Sequence, residues 1–344
     1  MKQLLNTLYI TTPEAYIRLD NDTLRVNIEG QTKLRVPLHH LQGMVCFGNV
    51  LVSPAVIATM AESGKMLVFL SRNGRFKARL QGPVAGNVLL RQAHYQTAQD
   101  PEYASSIARN CIAGKLQNSR QILLRGAREA TDTHAREQLE HTAKALARNI
   151  RKLTEEKNID SLRGIEGDSA KRYFSALQYI IKPEHRSGFA MSGRNKRPPR
   201  DPINALLSFL YSMLMNDCRS AIEATGLDPQ IGFLHRARPG RAALALDLME
   251  EFRSILADRI ALTLINRGQI KVSDFELLPG GAVRMKDDAR KLIIASYQDR
   301  KQTEVKHPKL NSKQPIGLLP FLQAKLMASV IRKERTDYIP CIYK

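Results

Sequence analysis

Between Asp201 and Arg253 the chain reads DPINALLSFLYSMLMNDCRSAIEATGLDPQIGFLHRARPGRAALALDLMEEFR, with one histidine, His235, ahead of three acids, Asp247, Glu250 and Glu251. Residues three and four apart share a helix face. A helix through LDLMEE would therefore project the three carboxylates together while Leu246, Leu248 and Met249 turn toward a core. Like charges so placed repel and call for a compensating cation, either a basic side chain or a metal. An imidazole upstream offers the nitrogen donor of a mixed nitrogen and oxygen site. Taken alone, the same residues also describe a solvated acidic face beside an ordinary histidine.

The elements that must position these residues change character along the chain. Residues 1–86 read as β-rich. TLYIT, AYIRL, TLRVNI, KLRVPL, GMVCF and KMLVFL are short, rich in β-branched and aromatic residues, and separated by turn signals. Ser53-Pro54 opens one helix, and Asn73-Gly74 marks a hairpin decorated by Arg72, Arg75, Lys77 and Arg79, either a charged edge strand or a DNA contact. Gln81 to Asn87 breaks every pattern and sets the boundary between a domain over 1–86 and one over 87–344. From Val88 the spacing becomes helical, through a charged segment with Leu139, Leu146, Ile150 and Leu153 at near-heptad intervals. Lys182 to Arg200 reads as a basic loop just ahead of the apolar helix from Asp201. Its Arg194, Lys196, Arg197 and Arg200 are candidate contacts to a nucleic-acid backbone or simply a solvated insertion. DRKQTEVKHPKLNSKQP reads as a second polar loop. Pro320 in IGLLPFLQAKLMASVIRKE implies a first-turn position or a kink.

Composition narrows the partners. Of 344 residues, Lys and Arg number 53 against 33 Asp and Glu, a net charge of +20, which calls for a polyanion. No apolar run reaches the roughly 18 to 20 residues of a spanning helix, and the N-terminus lacks a signal-peptide pattern, so nucleic acid is expected rather than membrane. Four widely spaced cysteines form no CxxC pair, which suits a reducing cytoplasm.

A third acidic motif, LRGIEGDSAKRYF, holds Glu166 between Gly164 and Gly167 just before a helix-like run. With GIEG, DPINALLSFLYSML, GFLH and LDLMEEF in this order, the chain resembles over its whole length the CRISPR-associated endonuclease and integrase of spacer acquisition. YQDRKQTEVKHP, IGLLPFLQAKLMA and YIPCIYK are similar to the I-C branch of that family. The resemblance implies an α+β fold, with a small N-terminal β-rich dimerisation domain followed by a larger all-α catalytic, metal- and DNA-binding domain. It implies that Glu166, His235 and Glu250 are the catalytic metal ligands for Mg²⁺ or Mn²⁺, with Glu250 where many relatives have aspartate, and that Asp247 supports them. The implied reaction is attack of the 3′-hydroxyl of a captured foreign DNA fragment on a phosphodiester at the CRISPR repeat boundary, on double-stranded and branched DNA. With water as nucleophile the site would act as a DNase. The implied assembly is a homodimer that joins a small adaptation partner in a heterohexamer. No P-loop and no nucleophilic serine motif is present, which agrees with metal catalysis. A metal-dependent repair nuclease and a non-catalytic basic DNA-binding module are the rival readings.

Overall fold

The computed structural model describes residues 6–72, 74, 76–80, 82, 88–195, 198–306 and 312–343. It divides into two compact units, residues 1–86 with 287–298, and residues 87–286 with 299–344.

In the first unit β1 (Thr7–Ile10), β2 (Tyr16–Asp20), β3 (Thr23–Ile28), β4 (Gln31–Pro37), β5 (Gly43–Phe47) and β6 (Leu51–Val52) precede α1 (Pro54–Glu62), β7 (Met66–Leu70) and β8 (Phe76–Arg79). They form two four-stranded sheets, β1-β5-β7-β8 and β4-β3-β2-β6. β5 lies parallel to both β1 and β7, and all five of its residues are buried, which is why GMVCF is apolar throughout rather than alternating. β3 alternates instead, with Leu24 and Val26 buried and Arg25 turned outward, as an antiparallel strand with one wet face does. Ser53 caps α1 by accepting the Val56 N–H at 3.4 Å, with Pro54 in the first turn. β7 and β8 pair as the expected hairpin, with Gly74 at φ +77°, while Asn73 and Arg75 lie outside the described residues. Arg72 is bound to Asp287 at 2.7 Å within the same unit.

The second unit is mostly helical. Its helices are α2 (Val88–Gln99), α3 (Pro101–Glu129), α4 (Thr133–Leu153), α5 (Ile159–Leu177), α6 (Pro183–Arg186), α7 (Pro202–Ala224), α8 (Ala243–Met249) and α9 (Arg259–Asn266), with α10 (Asp287–Gln302) shared with the first unit and α11 (Leu319–Ile331) last. Polar side chains start the long ones. Asp100, Asp132, Asn158 and Asp201 each accept backbone N–H groups of the first turn of α3, α4, α5 and α7. Leu139, Leu146 and Leu153 form the buried stripe of α4, which packs against α3 and α5, each leucine contributing about 1.5–3 kcal/mol. Pro320 sits in the first turn of α11. All four cysteines are buried and free, and no described helix is long and apolar enough to cross a membrane.

Three local expectations change, and one strand pair is new. Glu166 does not precede a helix but lies inside α5, with Gly164 and Gly167 as helical residues. The basic loop before Asp201 contains the one-turn α6. DRKQTEVKHPKLNSKQP is not wholly a loop: α10 runs to Gln302, and Glu304–Lys306 pairs antiparallel with Lys313–Pro315. A second short pair joins Phe275–Leu277 to Val283–Met285. Three-residue strands are too short to announce themselves by alternation.

Candidate active site

The acidic helix is shorter than its pattern suggests. α8 ends at Met249, Glu250 caps it, and after one turn the backbone widens into a π-helical stretch, Arg253–Asp258. Such widened turns recur at functional sites because they re-aim side chains. The three acids, which all precede that stretch, turn to three different sets of partners. Each is buried.

Asp247 turns to the GFLH loop. Its Oδ2 accepts the N–H groups of Phe233 at 2.6 Å and Leu234 at 2.9 Å, and its Oδ1 accepts the His235 N–H at 3.0 Å. The same Oδ1 lies 2.6 Å from His235 Nδ1. A carboxylate can only accept, so Nδ1 carries the proton and a neutral ring keeps its lone pair on Nε2. This close approach explains the glycine of GFLH: a Cβ on Gly232 would lie 2.8 Å from Ala243 and 2.8 Å from Asp247 Oδ2. His94 supports the loop from below, with Nε2 2.9 Å from the Ile231 carbonyl. Arg163 of α5 donates to the Leu234 carbonyl at 2.7 Å.

Glu250 turns to two cations. Arg253 Nη2 is 2.9 Å from its Oε1, and Lys115 Nζ of α3 is 2.8 Å from its Oε2. Burial pushes the Glu250 carboxyl up, but Arg253, Lys115 and His235 outweigh it and hold the group well below the usual carboxylate range. Lys115 Nζ also contacts Glu166 Oε1. Burial would strip the lysine of its proton, and Glu250 and Glu166 reverse that.

Glu251 turns away, to residues 338–341. It accepts from the Tyr338 hydroxyl, from Gln323 at 3.0 Å and from the Cys341 N–H at 2.6 Å. Burial nevertheless pushes its pKa up to about 7. Asn118, one turn beyond Lys115, donates to the carbonyls of Glu251 and Cys341, each at 2.8 Å. Gly114 makes room for this packing, since a Cβ there would lie 2.7 Å from Pro340.

Lys115, Glu166, Arg194, Tyr211, Met249 and Arg253 are among the residues lining a cleft of about 620 Å³. Arg194, expected as a DNA contact, is half-buried and bound to Asn204 at 2.7 Å and Ser208 at 3.0 Å, with its guanidinium 5.3 Å from the Tyr211 ring centre. Arg200 is exposed, and Lys196 and Arg197 lie outside the described residues. Behind Tyr211, Asp258 accepts from the hydroxyls of Tyr211 at 2.5 Å and Tyr173 at 2.8 Å, and burial pushes its pKa up to about 6.

Glu166 and Glu250 thus meet at a single positive charge, and that charge is an ammonium. Among the described residues no three His, Cys, Asp or Glu side chains are grouped to hold a metal ion. The position suits a cation, as Lys115 demonstrates, and the donor types suit Mg²⁺ or Mn²⁺. Drawing in His235 as a third ligand requires side chains to rearrange. Lys115 and Arg253 were not among the expected site residues. Their signals were a lysine on the apolar stripe of Cys111, Ile112 and Ile122, and an arginine one turn after Glu250.

Residues 8–299 match the family described as CRISPR associated protein Cas1. This chain belongs to the Cas1 family. Across all 344 residues it is 51% identical to the CRISPR-associated endonuclease Cas1 1 of Moorella thermoacetica, covering both chains completely. Two solved structures share the Cas1 fold at low identity. One, titled a Cas6-RT-Cas1–Cas2 complex, matches with TM-score 0.83 and 23% identity over the whole of this chain, which spans 37% of that longer one. The other, a casposase bound to integration product, matches with TM-score 0.81 and 20% identity over 97% of this chain and 92% of that one.

Proposed function

We propose that this Cas1-family chain joins DNA by transesterification, transferring a phosphodiester at a CRISPR repeat boundary to the 3′-hydroxyl of a captured foreign DNA fragment. The same site would cut DNA when water takes the place of that hydroxyl. One observation carries the reading: Glu166 and Glu250, from separate helices, meet at one cation in the wall of an open cleft. We assign Glu166, His235 and Glu250 as ligands of Mg²⁺ or Mn²⁺, which would supply Lewis-acid neutralisation of the developing phosphorane charge. Asp247 keeps the Nδ1 proton on His235 and so presents Nε2. Arg253 keeps Glu250 ionised. Lys171 and Arg194, on the cleft wall, would draw in the DNA backbone, with Lys196, Arg197 and Arg200, which follow Arg194 in sequence, adding to the basic charge. Residues 87–344 are the proposed catalytic domain and 1–86 the proposed dimerisation domain. The proposed assembly is a cytoplasmic heterohexamer of two homodimers and a dimer of Cas2. The Cas1–Cas2 complex sharing this fold supports such an assembly, and the late motifs support the I-C branch.

The test is strand joining on a repeat-bearing plasmid by the purified protein with Cas2, 3′-hydroxyl DNA and Mg²⁺ or Mn²⁺. Joined product abolished by chelator is expected. Cutting without joining would replace the integrase with a nuclease, and binding with neither would leave only a DNA-binding module.

A further inference from the structure

We infer that Lys115 is an exchangeable counter-cation, which holds Glu166 and Glu250 together in the metal-free protein and withdraws when a divalent ion binds. This inference rests on the metal-site reading above. Two carboxylates and two basic groups, Lys115 and Arg253, already sum to zero charge. A divalent ion therefore enters a neutral cluster rather than an acidic one, and something positive must leave for it to be held firmly.

The geometry says which group leaves. Arg253 occupies Oε1 of Glu250, whereas Lys115 occupies Oε2 and reaches Glu166 as well. An ion held by both glutamates would compete with the ammonium, which already contacts both, rather than with the guanidinium, which contacts only Oε1 of Glu250. Lys115 carries its charge on a flexible four-carbon stem and lines the cleft of about 620 Å³, so a hydrated position is within its reach. Nor does its departure release α3 from the turn that carries Glu250. Asn118 holds the carbonyls of Glu251 and Cys341 independently, each at 2.8 Å. The ammonium of Lys115 thus sets the affinity for the ion while contributing nothing to its coordination.

The experiment compares full-length wild-type protein with Lys115→Met by calorimetric titration with Mn²⁺. Deleting the ammonium removes the ion pairs that a divalent ion must displace on entering, so Mn²⁺ binding tightens by about tenfold to a thousandfold, the range for one charge pair at about 4 Å between water and the effective dielectric of a protein surface. The metal-free variant melts lower than wild type, and saturating Mn²⁺ closes the gap. A second measurement needs only wild-type protein: the NMR resonance of the Lys115 ε-methylene, assigned by its loss in Lys115→Arg, shifts on Mg²⁺ addition with the midpoint of Mg²⁺ binding. Equal or weaker Mn²⁺ binding by folded Lys115→Met overturns the inference, as does a Lys115 resonance that stays fixed at saturating Mg²⁺; both leave the metal site standing. No ion binding by wild type or variant removes the metal site itself and this inference with it. Should Lys115→Met fail to fold, the wild-type resonance decides alone.

Discussion

Replacing Asp247 by Asn would change one atom and should disable the histidine as well as loosen the fold. The carboxylate accepts four N–H groups, two on each oxygen, from Phe233, Leu234, His235 N and His235 Nδ1. An amide keeps one oxygen and points its own N–H groups at the donors formerly served by the other. Two charge-assisted bonds are lost, each contributing about 1.5–3 kcal/mol, for a total of about 3–6 kcal/mol in a fully buried site. For a helical unit of this size that lowers the melting temperature by on the order of 10 °C. If the amide nitrogen faces His235, the ring accepts at Nδ1 and its proton moves to Nε2, the position needed as a donor to an ion. Strand joining should then fall about 10- to 100-fold at temperatures where the variant stays folded. Melting by circular dichroism and joining by gel assay check the two effects separately. A variant with near-wild-type melting and joining would refute the argument that Asp247 holds the loop and fixes the ring.

Gly232→Ala would drive a Cβ to 2.8 Å from both Ala243 and Asp247 Oδ2, and should destabilise by about 1–3 kcal/mol while weakening joining through the displaced loop; thermal melts and the joining assay check it. Gly167→Ala should do the opposite to stability, because its Cβ would meet nothing within 4 Å and an alanine inside α5 is favoured by up to about 1 kcal/mol; a lower melting temperature would contradict the open surface there. Asp258 has its folded pKa raised from 3.8 to about 6, so the stability it contributes is full below about pH 4 and is lost as pH rises through about 6. The shift corresponds to roughly 3 kcal/mol, and Asp258→Asn should remove that part of the slope from denaturant melts between about pH 4 and 6.

Much of the fold was legible because its signals are local. The apolar run of β5, the alternation of β3, the Ser-Pro start of α1 and the leucine stripe of α4 each follow from burial on one face or two. The site was legible in part. His235, Asp247, Glu250 and Glu251 stood out as candidates by residue type, and Glu166 by the family resemblance. Several partners of those acids were not, because they come from distant elements: Lys115 lies 51 residues from Glu166 along the chain, and Tyr338 lies 87 from Glu251. The expectation of a shared acidic face failed for a geometric reason. Asp247 and Glu250, three apart, take different partners on either side of the end of α8, and Glu250 and Glu251, being adjacent, point about 100° apart on any helix and so reach different neighbours. The paired glycines beside Glu166 suggested a turn, whereas capping by Asn158 and burial of Leu162, Ser169 and Tyr173 carry the helix through them.

The central claim is that Glu166, His235 and Glu250 share one divalent ion. It is tested most directly by locating Mn²⁺ through its anomalous scattering in crystals of the protein soaked with the ion. The account predicts one peak at about 2.0–2.2 Å from a carboxylate oxygen of Glu166, a carboxylate oxygen of Glu250 and Nε2 of His235, with Lys115 withdrawn from Glu250. A peak bound elsewhere, or no peak at saturating Mn²⁺, would contradict it, whereas such a peak with Lys115 still bridging the two glutamates would overturn only the withdrawal of Lys115.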